Sequence, residues 1–184
     1  WLNLGDKNSG SGGAGGDFLR GGERENRKPY GKTTKADTGI ANGQLCGAPW
    51  GVALELQRRG WLLRADIIWN RQKLRREDPR HVRRPIPEHE YVFLFAKSKK
   101  SNKRYNPDHG FELGTVWNID ISERRSEGKA PPFPDELVRR AVVASTQPGE
   151  IVLDPFLGHG TTVRVARSLG RRAVGFDLYP EMTK

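Results

Sequence analysis

The chain has 184 residues, enough for one domain with a substantial buried core. Its 32 Lys and Arg residues outnumber its 22 Asp and Glu residues, and the net charge of +10 favours a polyanionic partner such as nucleic acid over mere solubility. The single cysteine, Cys46, excludes an internal disulfide and a cysteine zinc cluster, no apolar run reaches the ~20 residues of a membrane span, and a reducing cytoplasm is the expected compartment.

The first forty residues contain little apolar pattern. Trp1 to Leu4 predicts a short strand, and because no initiator methionine precedes it we expect an earlier part of the polypeptide. Residues 7 to 43 are rich in Gly, Ser, Lys and Arg, which predicts a long flexible surface loop. A loop of this length is consistent with either a DNA clamp or a plain insertion.

A helix and two strands are predicted next. Pro49 suits the first turn of a helix that runs to Arg59 and ends at Gly60. The segments 61–69 and 88–98 are rich in β-branched and aromatic residues and predict strands. The residues expected on the inner face of the helix are Val52, Ala53, Leu54 and Leu56.

The loop between these two strands is strongly basic. Seven cationic side chains lie between residues 71 and 84, against two acidic ones, Glu77 and Asp78. Such clusters neutralise backbone phosphates, although a solvated charged face would have the same composition. At the start of the second strand, His89 is expected to be a packed residue rather than a base. The predicted DNA-binding residues are Arg71, Lys73, Arg75, Arg76, Arg80, Arg83 and Arg84.

The last third of the chain has the clearest pattern. A helix is predicted from Phe133 to about Thr146. The apolar run 151–153 predicts a strand buried on both faces, and a glycine-containing turn, residues 156–160, follows Asp154-Pro155. A helix over 163–169, capped by one of two threonines, and a strand over 173–176 complete the unit.

This order of strand, glycine turn, helix, strand and acid is the layout of a nucleoside-cofactor site. The free N–H groups of the turn and the helix N-terminus would favour a polar or anionic ligand. Asp177 follows Gly158 by nineteen residues, close to the ~20 at which an acid on the second strand can bind ribose hydroxyls. The alternative is an ordinary strand-helix-strand unit without a ligand.

Several segments resemble bacterial and phage DNA amino-methyltransferases. Residues 154–162 are similar to the D-P-F-x-G-S-G-T-T signature of their S-adenosylmethionine site, with His159 in place of the usual serine. Residues 47–56, 60–69 and 89–98 resemble the family's G-x-P-W-x-V-A-L-x-L, G-W-x-L-R-x-D-I-I-W and H-E-Y-V-F-L-x-A-K-S segments, and 133–138 resembles F-P-x-E-L-V. The late position of the signature is that of the β class.

The resemblance implies a single, incomplete α/β domain over residues 1–184 with a Rossmann-like methyltransferase fold, its mixed sheet containing one antiparallel strand. It implies double-stranded DNA as partner, methylation of the exocyclic amine of cytosine (N-4) or adenine (N-6), and a restriction-modification context with a cognate endonuclease. The short interval 99–130 would be the target-recognition region and favours cytosine. The implied residues for the S-adenosylmethionine cofactor are Phe133, Asp154, Phe156, Gly158, Gly160, Thr161, Thr162 and Asp177.

The catalytic motif of the family, [Asp/Asn/Ser]-Pro-Pro-[Tyr/Phe], is imitated by residues 130–133. Ala130, however, has no side-chain acceptor for the target amine. We therefore expect the catalytic motif upstream of Trp1 and no methyl transfer by this segment alone.

Other classes of protein share part of this pattern. A non-catalytic nucleic-acid-binding protein would explain the charge, and a methyltransferase acting on RNA or a small molecule would share the cofactor segment. An NAD-dependent dehydrogenase fits less well, because Asp154-Pro155-Phe156 does not match the usual G-x-G-x-x-G spacing.

Overall fold

The computed structural model describes residues 1–6, 39–41, 43–71, 85, 87–98, 114–121 and 133–178. Most of the predicted loop over 7–43, most of the interval 99–130 and the basic residues from Lys73 to Arg84 lie outside these ranges. Within the described residues, six strands form two sheets and three helices pack against them. No helix among the described residues is long and apolar enough to cross a membrane.

The larger sheet has four strands, β1 (Leu2–Leu4), β2 (Leu62–Asn70), β3 (His89–Ala96) and β4 (Val116–Asn118). Their order is β1-β3-β2-β4. Strand β3 is antiparallel to both β1 and β2, whereas β2 and β4 are parallel. The prediction of a mixed sheet with one antiparallel strand is therefore confirmed.

One face of this sheet carries the main apolar core. Trp69 is buried, and its indole Nε1 donates a hydrogen bond to the carbonyl of Ile119 at 2.8 Å, so its only polar side-chain atom is satisfied. The buried residues that make up this core are Ile67, Trp69, Val92, Trp117, Ile119 and Leu137.

Helix α1 (Ala48–Arg58) covers the opposite face of the sheet. Trp50 packs edge-on against Phe93, with ring centroids 5.2 Å apart, and Ala53 is fully buried. The predicted inner face was partly wrong, because Val52 and Leu54 are exposed. Residues two apart cannot share one side of a helix, and the buried pair is Pro49 with Ala53, four residues apart.

The smaller sheet is a parallel pair, β5 (Ile151–Asp154) and β6 (Arg172–Gly175), joined by helix α3 (Thr161–Ser168). The prediction that β5 is buried on both faces was wrong. Ile151 and Leu153 are 55% and 61% exposed, because in the described part of the chain α3 packs on one face of the pair only.

Helix α2 (Asp135–Ser145) connects the two sheets, which share no strand pairing within the described residues. Leu137 belongs to the core of the larger sheet, and Arg140 lies over the Trp117 ring at 5.5 Å. The hydroxyl of Ser145 accepts a hydrogen bond from the Trp1 indole at 3.0 Å. The same helix packs against α3. Its position therefore determines the placement of the smaller sheet relative to the larger one.

Candidate cofactor-binding site

The glycine turn after β5 is held by hydrogen bonds within the protein. The N–H of Phe156 donates to the Asp154 carboxylate at 3.0 Å, and the N–H of Leu157 donates to the Phe176 carbonyl at 2.8 Å. The N–H of Gly158 donates to Oδ2 of Asp177 at 2.8 Å. The expectation that these turn N–H groups are free for a ligand is therefore corrected, because Asp154 at the end of β5 and the residues after β6 engage them.

Two glycines give the turn its path. Gly158 has φ 51° and Gly160 has φ 76°, a left-handed conformation that residues with a side chain adopt at a cost. Gly160 is also the N-cap of α3, and no side chain caps the helix. The prediction of a threonine cap was wrong by one position, because Thr161 already lies in the helix and is buried, with 5% exposure.

The N-terminus of α3 faces the end of the turn. The first intrahelical bond here runs from Arg164 N–H to the Gly160 carbonyl at 3.0 Å. By helix geometry, the N–H groups of Thr161, Thr162 and Val163 therefore have no partner within the helix. Together with the helix dipole, they favour a polar or negatively charged ligand group.

Asp177 combines the position predicted for a ribose ligand with a bond to the turn. One carboxylate oxygen accepts the Gly158 N–H, nineteen residues away in sequence. The bond fixes the acid next to the turn. The sequence places the acid at the end of the strand, but this contact depends on the path of the turn.

A close approach between the turn and strand β6 went unnoticed in the sequence. The Leu157 side chain packs onto Gly175, where an added Cβ would lie 2.7 Å from Leu157 Cδ1. A side chain at this position would force the Leu157 side chain to shift. The glycine in the strand pattern was the available signal.

Phe133 lies two residues before the first residue of α2, Asp135. Its ring is half-exposed, and the ring centroid is 6.3 Å from that of Trp69 on the larger sheet. Phe156 and Leu178 expose 84% and 90% of their surface around the turn and the end of β6. The sequence did not single out Leu178 as an exposed apolar residue near the turn, because it follows the last recognisable motif residue, Asp177.

The structure brings most of the predicted cofactor residues together and leaves one predicted DNA residue elsewhere. Asp154, Phe156 and Asp177 join the turn glycines and the start of α3 in one unit. Arg71 instead lies after β2, where its guanidinium donates to Glu90 at 3.2 Å and to the Pro87 carbonyl at 2.7 Å. These contacts hold the Arg71 side chain beside β3, where it is 26% exposed, and its contact with phosphate stays a prediction.

A strand, a tight turn, a helix and a second parallel strand that is followed by an acid, Asp177, have the layout of the α/β nucleoside-cofactor-binding class. The family model described as DNA methylase matches residues 1–184. The chain belongs to this DNA methylase family, as the resemblance of its motifs predicted.

Individual relatives agree with this assignment. The chain is 37% identical over 191 residues to the Type II methyltransferase M.SmaI of Serratia marcescens, covering 98% of this chain and 63% of that protein. It is 36% identical over 181 residues to M.Cfr9I of Citrobacter freundii, covering 90% and 59% respectively. The chain thus spans about three fifths of the length of these relatives.

A solved structure supports the fold. A protein of Thermus thermophilus described as a DNA modification methylase, complexed with S-adenosyl-L-methionine, superposes with a TM-score of 0.52 at 25% identity. The similarity covers 76% of this chain and 57% of that one. The predicted methyltransferase fold is confirmed.

Proposed function

We propose that this chain is the donor-binding part of a DNA amino-methyltransferase that transfers a methyl group from S-adenosylmethionine to N-4 of cytosine or N-6 of adenine. The observation that carries the proposal is the hydrogen bond from the Gly158 N–H to the Asp177 carboxylate, which joins the glycine turn and the acid into one unit. The Type II methyltransferase relatives and the S-adenosylmethionine complex of a structural neighbour support it.

The chemistry of the site fits a nucleoside sulfonium donor. The carboxylate of Asp177 suits ribose hydroxyls, which are hydrogen-bond donors. The N-terminus of α3, at Thr161 and Thr162, suits the carboxylate of the methionine part. The exposed rings of Phe133 and Phe156 offer apolar surface for the flat base. When bound, the donor supplies an activated methyl group.

The target amine requires a second site. The amine lone pair is delocalised into the base, so the enzyme must take the base out of the stack and align the amine with the methyl group. No [Asp/Asn/Ser]-Pro-Pro-[Tyr/Phe] motif occurs in these 184 residues. We propose that a further part of the protein supplies this motif, and that residues 99–130 contribute to target recognition.

The proposed setting is a bacterial restriction-modification system. The Type II relatives support a cognate endonuclease as functional partner, and the cytoplasm, which holds both DNA and donor, as compartment. The residues proposed to contact DNA phosphates are Lys73, Arg75, Arg76, Arg80, Arg83 and Arg84.

Titration calorimetry with S-adenosylmethionine on the complete polypeptide tests the donor site. Asp177→Ala removes the predicted ribose contact and the bond to the turn, and is expected to weaken affinity at least ~100-fold, since charged hydrogen bonds contribute about 1.5–3 kcal/mol each. Asp177→Asn keeps an oxygen that accepts the Gly158 N–H, and is expected to retain a measurable part of the affinity.

Methylation of DNA substrates containing only cytosine or only adenine as the methylatable target then identifies the base. Absence of donor binding by the unmodified complete protein contradicts the proposed function. Unchanged affinity in Asp177→Ala contradicts the site. Methylation of RNA but not DNA contradicts the proposed substrate.

A further inference from the structure

Helix α2 is attached at both ends to the unit that carries the glycine turn. At its C-terminal end, the Arg171 guanidinium donates to the Thr146 carbonyl at 2.7 Å and to the Thr146 hydroxyl at 3.2 Å. At its N-terminal end, Arg164 of α3 donates to Asp135. The position of α2 relative to the turn is therefore fixed by two arginines, one at each end.

The contact at the N-terminal end has strong geometry. Nη1 and Nη2 of Arg164 donate to separate oxygens of Asp135, at 2.6 Å and 2.5 Å. This two-point pairing is directional as well as charged, and hydrogen bonding to Asp135 raises the pKa of Arg164. Both side chains remain about half exposed, so the pair contributes only modestly to folding.

The pair joins the two segments that carry the proposed donor contacts. Asp135 follows Phe133 by two residues, and Arg164 lies one helical turn after Gly160. The Phe133 ring packs near that of Trp69 on the larger sheet. Gly160 instead caps α3, the helix that joins the two strands of the smaller sheet. A shift of α2 along α3 would therefore move Phe133 relative to the turn.

We infer that Asp135 and Arg164 are a positioning pair, which sets the spacing between the Phe133 segment and the glycine turn and thereby tunes affinity for the nucleoside donor. This inference rests on the proposed function. Neither side chain needs to touch the donor. The pair stabilises one relative placement of α2 and α3, the helices next to the two segments that carry the proposed donor contacts.

The test compares single and double variants of the complete polypeptide. Asp135→Asn and Arg164→Gln are each expected to weaken S-adenosylmethionine affinity about three- to tenfold, the change that ~0.7–1.4 kcal/mol produces. The double variant should lose no more than either single one, because both changes break the same contact. In methylation assays, KM for the donor should rise while KM for DNA and kcat stay within about twofold.

Two further variants separate positioning from general stability. Arg164→Lys keeps the charge but not the two-point geometry, and should recover only part of the affinity. Glu55→Gln breaks a similarly exposed acid–arginine contact on α1, at 2.8 Å to Arg59, and should leave donor affinity unchanged. The melting temperature of every variant shows whether donor affinity falls without a corresponding loss of stability.

The outcomes are distinguishable. If the unmodified protein binds no donor, the proposed function fails. If it binds donor and both single variants bind equally well, the positioning role alone is overturned. The role is also overturned if KM for DNA rises in parallel with KM for the donor, or if affinity losses add in the double variant.

Discussion

Asp177 combines a hydrogen bond to the turn with the proposed contact to the donor ribose. Its carboxylate accepts the Gly158 N–H at 2.8 Å, and it lies at the position where an acid binds the ribose of a nucleoside. A carboxylate can accept several hydrogen bonds, so the bond to the turn is compatible with ligand contacts. The acid is therefore oriented by the same turn that is proposed to bind the donor.

Gly175 offers a second test at the scale of one residue. In Gly175→Ala, the new Cβ would lie 2.7 Å from Leu157 Cδ1, so the Leu157 side chain would have to leave its present position. We expect unfolding free energy to fall by about 1–3 kcal/mol, as for other overpacked sites. Urea denaturation measures this loss.

The matched control for Gly175→Ala is a second substitution at Leu157, the residue that the new Cβ would contact. Leu157→Ala in the Gly175→Ala background removes the clashing atoms and should restore part of the lost stability. If Gly175→Ala alone is as stable as the unmodified protein, the close packing of turn and strand is not under steric constraint.

Single residues also show the limits of prediction from sequence. The glycine turn and its acid were predicted correctly in position, because residue type and spacing determine them. The threonine cap was wrong, since Gly160 takes the N-cap with a left-handed backbone. The bonds of Arg71 to Glu90 and Pro87 depend on how two strands pair, which spacing alone does not reveal.

At the scale of elements, the N-terminus of α1 is capped by a residue that is distant in the sequence, Asp6. Its N-cap, Gly47, has no side chain to offer, and Asp6 accepts hydrogen bonds from the N–H groups of Gly47 at 2.9 Å and Ala48 at 3.4 Å. The acid lies just after β1, so it ties the helix to that strand. Sequence reasoning located the helix but not its cap, because the two are 41 residues apart.

Asp6→Ala is accordingly expected to lower unfolding free energy by about 0.5–2 kcal/mol, the usual loss for a removed N-cap acceptor. Hydrogen exchange should show faster opening in the first turn of α1. Asp120→Ala, which removes an exposed acid beyond β4, provides the comparison. Equal exchange rates in both variants would show that Asp6 does not cap the helix.

The strands were located well, whereas their burial was not. Segments 61–69 and 88–98 were predicted within one or two residues of β2 and β3, because β-branched and aromatic residues favour strands. The apolar run 151–153 correctly predicted a strand, but its predicted burial on both faces was wrong. Hydrophobicity shows that a residue favours burial, but not which part of a protein covers it.

For the molecule as a whole, the net charge of +10 leads to a prediction about salt. Replacing Arg75 and Arg76 by glutamine should flatten the slope of log affinity for DNA against log salt by about 0.9 per lost phosphate contact. Arg71→Gln should affect stability more than this slope, because Glu90 holds the side chain. Fluorescence anisotropy with duplex DNA at several salt concentrations measures both effects.

If the slope is unchanged in the Arg75 and Arg76 variant, the basic loop does not contact phosphates, and the charge belongs to a solvated surface. The family, the α/β class and the single antiparallel strand followed from sequence, since local motifs determine them. The division into two sheets bridged by α2 did not, because it depends on packing between residues far apart in the chain.

Hydrogen bonds within the protein hold the glycine turn and Asp177. A binding loop that is held in this way loses little conformational freedom when a ligand binds, so little of the binding energy is spent on ordering it. Neither Gly158 nor Asp177 is proposed to touch the group that is transferred. The donor that has lost its methyl group should therefore bind this site nearly as tightly as the intact donor. Selectivity between the two must come from the part of the protein that binds the target base.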